Sequence, residues 1–144
     1  MGQQQLLLVI LVTILVGIAT LVAFNVFGTA AEEANRDAVR QDIMAAAAQA
    51  QAIWTRPAMM DGTGQDFTTL TAAELLPRLN IPGVINDAGT LVENENGDYS
   101  VAVTDATTIT ITGSPSSDTG DIIAIVSRNA STNAWEIEWN PTVE

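Results

Sequence analysis

The first thirty-odd residues constrain this chain more than any other feature. From Met1 to Ala31 no side chain is charged, and Leu6–Phe24 is nearly continuous Leu, Val and Ile. An apolar run of about 20 residues is long enough, as a helix, to cross a bilayer core of ~30 Å. A helix that is hydrophobic on all sides must be covered on all sides, by lipid or by protein. All 17 acidic and all 5 basic residues fall at or after Glu32, so the net charge of −12 sits entirely on the rest of the chain.

Three fates fit such a segment: a cleaved secretory signal, a permanent membrane anchor, or the core helix of a polymer that starts in the membrane. A cleaved signal has a basic leading region and an apolar stretch of roughly 7–15 residues. Here the leading residues are Met1-Gly2-Gln3-Gln4-Gln5 and the apolar run is longer, although Gly28-Thr29-Ala30 is an acceptable small-residue cleavage site. The anchor and the polymer helix differ in the residues beyond the apolar run. The chain continues from Ala31 to Trp54 without proline and is rich in alanine, a strong helix former. Val39, Ile43, Ala46, Ala50 and Ile53 recur at helical spacing, which predicts an apolar stripe on one face. Glu32 and Arg36, and Asp37 and Arg40, are placed for ion pairing along the polar side. One helix from Gln3 to Thr55 would be ~80 Å long at about 1.5 Å per residue. Gly17 and Gly28 are its weak points, and bending or unwinding is expected over Asn25–Thr29.

A simple anchor has no need for the helix to continue. A subunit whose first half is buried among copies of itself, and whose second half carries a globular head, does need it. These residues resemble the type IV pilin superfamily: a very short leader ending in glycine (Met1-Gly2), a polar stub (Gln3-Gln4-Gln5), the apolar run Leu6–Phe27, and the amphipathic extension to Trp54. The resemblance covers the N-terminal region only. It implies cutting between Gly2 and Gln3 by a prepilin peptidase, insertion in the inner membrane, and transfer by a pilus assembly machinery into a homo-oligomeric helical filament. Leu6, Ile10, Ile14, Ile18, Leu21 and Phe24 would then line the filament core. Family members usually carry a glutamate at the fifth mature position. Cutting after Gly2 would put Leu7 there, and no acid precedes Glu32.

Past Trp54 the pattern changes. Pro57–Asp66 reads as a flexible connector: it is Gly-rich but lacks the lysine and the flanking elements of a phosphate loop. Thr71-Ala72-Ala73-Glu74 is a capping box that predicts a short helix. From Gly89 the period becomes two. Strands are expected at Leu91–Glu93, Tyr99–Val103, Thr107–Thr112, Asp121–Ser127 and Asn133–Trp139, with a hairpin turn at Asn94–Asp98 and a Ser/Pro/Asp loop at Gly113–Gly120. Asp121–Ser127, apolar on both faces, reads as an interior strand covered by the helix on one side, and Trp135 and Trp139 as core residues.

The expected fold is therefore α+β: a long N-terminal helix, hydrophobic then amphipathic, packed on a small antiparallel sheet, a pilin-like arrangement. The organisation is 1–28 hydrophobic helix, 29–56 amphipathic helix entering the head, and 57–144 β-rich head. Val39, Ile43, Ala50 and Ile53 should be buried against the sheet, with Arg36 and Arg40 exposed. Several functions are disfavoured by composition. An acidic head without lysine does not suit nucleic acid or an anionic membrane surface. The absence of histidine and cysteine removes the commonest general base, the commonest zinc ligand and all thiolate chemistry. The acidic turn at Asn94 lacks the spacing of a calcium loop, since Val92 stands where an acid is needed. No enzyme activity, metal or cofactor is expected. Asn129-Ala130-Ser131 is a sequon, so Asn129 is a candidate for glycosylation. The expected function is a structural subunit of an extracellular, cell-surface filament. The alternative is a membrane-anchored minor pseudopilin of a secretion system, or a bitopic display protein.

Overall fold

A computed structural model describes residues 2–117 and 120–140. Met1 of the expected Met1-Gly2 leader and two residues of the expected Gly113–Gly120 loop lie outside that range. The element order is α1 (Gly2–Thr55), α2 (Ala72–Leu75), then β1 (Val84–Ile85), β2 (Val92–Glu93), β3 (Gly97–Asp105), β4 (Thr108–Pro115), β5 (Ile122–Arg128) and β6 (Trp135–Asn140). The strands form one antiparallel meander in the order β1-β2-β3-β4-β5-β6. The chain divides into two compact units, Met1–Ala34 and Asn35–Glu144, and α1 contributes to both.

In the first unit α1 is helical throughout, so the unwinding expected over Asn25–Thr29 does not occur. A helical glycine costs only about 1 kcal/mol relative to alanine. The apolar run before Gly28 and the helix-forming Ala30, Ala31 and Ala34 after it carry the helix across this point, where the Thr29 hydroxyl donates to the Asn25 carbonyl at 3.0 Å.

The second unit is built on the amphipathic half of α1. Val39, Ile43, Ala46, Ala47, Ala50, Ile53 and Trp54 are buried, all within one core cluster. Across the sheet, alternation selects the facing residues: Val101 on β3, Ile109 and Ile111 on β4, and Ile122, Ala124 and Val126 on β5. The helix is tied to the sheet at both ends. The Tyr99 hydroxyl donates to Asp42 near Ile43, and the Trp54 indole N–H donates to the Ala106 carbonyl at 2.9 Å in the β3–β4 turn.

Several boundaries differ from expectation for physical reasons. β4 continues through Pro115, so Gly113–Pro115 is strand rather than loop. Gly113 faces the helix, where a Cβ would stand 2.6 Å from Val39 Cγ1 and 3.0 Å from Ile43 Cδ1. Glycine here is a close-approach residue, not a turn signal. β5 lies between β4 and β6 as expected, and its second face, Ile123 and Ile125, is only half-buried. The two-residue β1 is an addition to the expected strands, too short to produce an alternating pattern of its own. Arg36 is half-buried rather than exposed, while Arg40 is exposed and pairs with Asp37 at 3.0 Å.

The Pro57–Asp66 segment is not a flexible connector. α1 ends with carbonyls that have no partner within the helix. Thr63 N–H donates to the Ile53 carbonyl, Gln65 N–H to that of Trp54, and Gly64 N–H to that of Arg56, at 3.1, 2.9 and 2.9 Å. Gly62 and Thr63 are buried, and a Cβ at Gly62 would overlap the Arg56 backbone. Arg78 fastens the segment from outside, reaching the Asp61 carboxylate at 2.8 Å. The expected short helix is present as α2. The Glu74 carboxylate accepts from the Thr71 N–H and hydroxyl, both at 2.8 Å, which holds its pKa below the usual carboxylate range.

Candidate assembly surface

The candidate site is a surface rather than a cleft. Between Leu6 and Phe27 every large apolar side chain of α1 is exposed, from 47% for Ile10 and Val12 to 73% for Phe27. Leu6, Ile10, Ile14, Ile18, Leu21 and Phe24, the residues expected to line a filament core, all belong to this set. None of the apolar stretch is buried within the structure, and the helix is long and apolar enough to insert in a membrane. Scattered exposed leucines are ordinary on soluble proteins, but a contiguous apolar surface this large marks an interaction site. Gly2 and Gln3, the residues flanking the expected cleavage point, lie exposed on the first turn of the helix.

The polar side chains within this stretch are mostly neutralised by the helix itself. Thr13 donates to the Ile10 carbonyl at 2.8 Å and Thr20 to that of Val16 at 2.7 Å. A threonine satisfied by its own helix can face an apolar medium at little cost.

The second unit shows what keeps the head attached to its portion of helix. The Asp42 Oδ2 atom accepts from the Tyr99 hydroxyl at 2.6 Å, from Asn96 Nδ2 at 2.9 Å and from Asn94 Nδ2 at 3.2 Å. Two turns toward the N-terminus, Asn35 Nδ2 donates to the Asn96 carbonyl at 2.8 Å while its Oδ1 accepts from the Ser117 hydroxyl at 2.9 Å. Both asparagine amides of the β2–β3 turn thus reach the helix, and that of Asn94 also donates to the Pro82 carbonyl at 2.8 Å. Burial beside the Asp42 carboxylate pushes the Tyr99 phenol well above its ordinary value. Asp105, accepting from the Thr107 N–H in the β3–β4 turn, is held below the usual carboxylate range. Among the described residues no cluster of acidic side chains is arranged to hold a metal ion.

At the opposite end of the head, Trp54 packs edge-to-face on Trp135 with ring centroids 5.4 Å apart, and the Arg128 guanidinium stands 4.4 Å over the Trp54 ring. Trp139 departs from its expected core place: it is 37% exposed on β6, an edge strand with a neighbour on one side only. Asn129 lies in the β5–β6 turn. Its side-chain oxygen accepts from the Ser131 N–H at 2.9 Å and its amide donates to Glu136 at 3.1 Å, so the sequon asparagine also caps the turn.

No family model matches the chain, and neither a curated protein nor a solved structure matches it. The architecture is nonetheless pilin-like: a long N-terminal helix, bare and apolar at its start, joined further on to an antiparallel sheet.

Proposed function

We propose that this protein is the structural subunit of a type IV pilus-like filament, held in a membrane before assembly and displayed at the cell surface after it. The observation that carries the proposal is the bare helix: some twenty apolar residues, uncharged and exposed on every side, continuous with a helix that ends in a folded head. Lipid satisfies such a helix, and so does a bundle of identical helices. Each buried side chain contributes on the order of 1.5–3 kcal/mol relative to water, so free monomers in water are strongly disfavoured. A bundle also adds close packing that fluid lipid does not supply. The heads would then coat the bundle, and their acidity keeps the coat hydrated.

Removing detergent from the purified chain, with electron microscopy before and after, tests this. The chain should be monomeric in detergent and form filaments without it, and added salt should favour filaments by screening the repulsion between acidic heads. Residues 29–144 alone should stay monomeric in both conditions. An intact chain that stays monomeric in detergent-free water, or a fragment that polymerises, would refute the proposal. The anchored, non-polymerising alternative is what an intact chain forming only small disordered micelles would show.

A further inference from the structure

We propose that Asn25 sets the axial register of the assembled helices by hydrogen-bonding to a threonine hydroxyl on a second copy of this chain. The inference rests on the filament reading and names the residue that would make such a filament regular.

Between Leu6 and Ala31 the polar side chains are Thr13, Thr20, Asn25 and Thr29. All three threonine hydroxyls already donate to carbonyls of their own helix, at 2.8, 2.7 and 3.0 Å. Asn25 differs: its side-chain amide makes no hydrogen bond with any described residue. It opens on a shallow groove shared with Val26, Thr29, Ala30 and Glu33. A primary amide carries two donors and an acceptor. Packed into a dry helix–helix contact, it must find a partner or oppose the association.

The chemistry of the surroundings limits what that partner can be. Leu, Val and Ile contacts are non-directional, so helices lined with them can slide past one another with little penalty. A single buried asparagine in such an interface selects the register that satisfies it, at some cost in stability. Identical helices related by a screw operation are displaced along the axis, so Asn25 does not meet its own counterpart. It meets residues a turn or so away. The threonine hydroxyls four residues after it and five before it, Thr29 and Thr20, donate inward and keep lone pairs free to accept. Contacting helices would therefore be offset by about one helical turn, ~6–7.5 Å at 1.5 Å per residue.

The test is cryo-electron microscopy of filaments from the full chain after detergent removal, comparing wild type with Asn25→Leu and Asn25→Gln. Leucine is a good helix former, so the helix itself is preserved. Wild type should give one helical symmetry with contacting helices offset by about a turn. Asn25→Leu should still polymerise, resist more detergent, and show several symmetries. Asn25→Gln, which keeps the amide, should retain one symmetry. If Asn25→Leu filaments keep the single wild-type symmetry, Asn25 marks only a polar level in the membrane and the register claim is wrong while the filament reading stands. Failure of Asn25→Leu to polymerise would also overturn it, since the amide would then drive association rather than align it. If wild type itself forms no filament, the filament reading fails first.

Discussion

Replacing Gly113 with alanine probes the helix–sheet contact at its tightest point. The added Cβ would stand 2.6 Å from Val39 Cγ1, 3.0 Å from Ile43 Cδ1 and 3.3 Å from Tyr99 Cε1. Carbon atoms in contact normally lie about 3.5–4.0 Å apart, so Val39 would have to retreat by roughly 1 Å. Valine in a helix has one strongly preferred rotamer, and Val39 is fully buried, so the shift falls on the helix backbone. Overpacking of this kind costs about 1–3 kcal/mol. Val39→Ala alone should cost about 2 kcal/mol, from two lost methyl groups and the space they leave. The double variant should cost clearly less than the sum of the two, because the new methyl occupies the volume Val39 gives up. A coupling of about 1 kcal/mol or more is expected for residues in contact. Urea unfolding of residues 29–144, followed by tryptophan fluorescence, measures all four proteins, with a constant m-value confirming that only stability changed. Strict additivity, or a Gly113→Ala head as stable as wild type, would show that α1 does not pack across β4 as described.

The same packing sets the outcome of other substitutions. Ile43→Asp, which buries an unpaired charge at a fully covered position, should destabilise the head by several kcal/mol, and a normal melting temperature would contradict the packing. Gly62→Ala should detach the segment that caps α1, lowering stability by ~2 kcal/mol or more, and hydrogen exchange should localise the loss to residues 53–65. Tyr99 has a raised folded pKa, so its contribution is complete below the unfolded phenol value of about 10 and is lost as pH rises beyond it. Tyr99→Phe should remove that alkaline limb while lowering stability at neutral pH. Glu74 and Asp105 have depressed pKa values, so their contribution is present above about pH 4 and is lost as pH falls below it. Glu74→Gln with Asp105→Asn should flatten the acid side of the stability profile.

The helix is legible in the sequence because its signals are long and repeated. A charge-free run and a stripe at Val39, Ile43, Ala46, Ala50 and Ile53 each accumulate over many turns. Strands β3 to β6 are legible from alternation, best in Thr108–Thr112, where isoleucine and threonine separate the two faces cleanly. The positions that mislead have meanings that depend on distant partners. Gly113 has the look of a turn and is a gap for Val39. Gly62 and Gly64 have the look of slack and close the end of a helix. Asn94 and Asn96 are turn residues, as their setting suggests, but nothing local announces that both amides reach Asp42, more than fifty positions earlier. Trp139 has the alternation of a core residue, and only the strand order reveals that it lies on an edge. The apolar surface is the easiest feature to read, since its exposure is implied by composition alone.

Spin labelling tests the central claim most directly, because the chain contains no cysteine and a single one can be introduced anywhere. A label at Ile18→Cys, in the apolar helix, is compared with one at Ala130→Cys, in the exposed β5–β6 turn of the head. After detergent removal, the label at position 18 should couple strongly to labels on neighbouring copies and lose access to a water-soluble relaxation agent. The label at position 130 should remain accessible and weakly coupled. Filaments in which position 18 stays uncoupled and accessible, with the heads carrying the coupling instead, would contradict an assembly built on N-terminal helices.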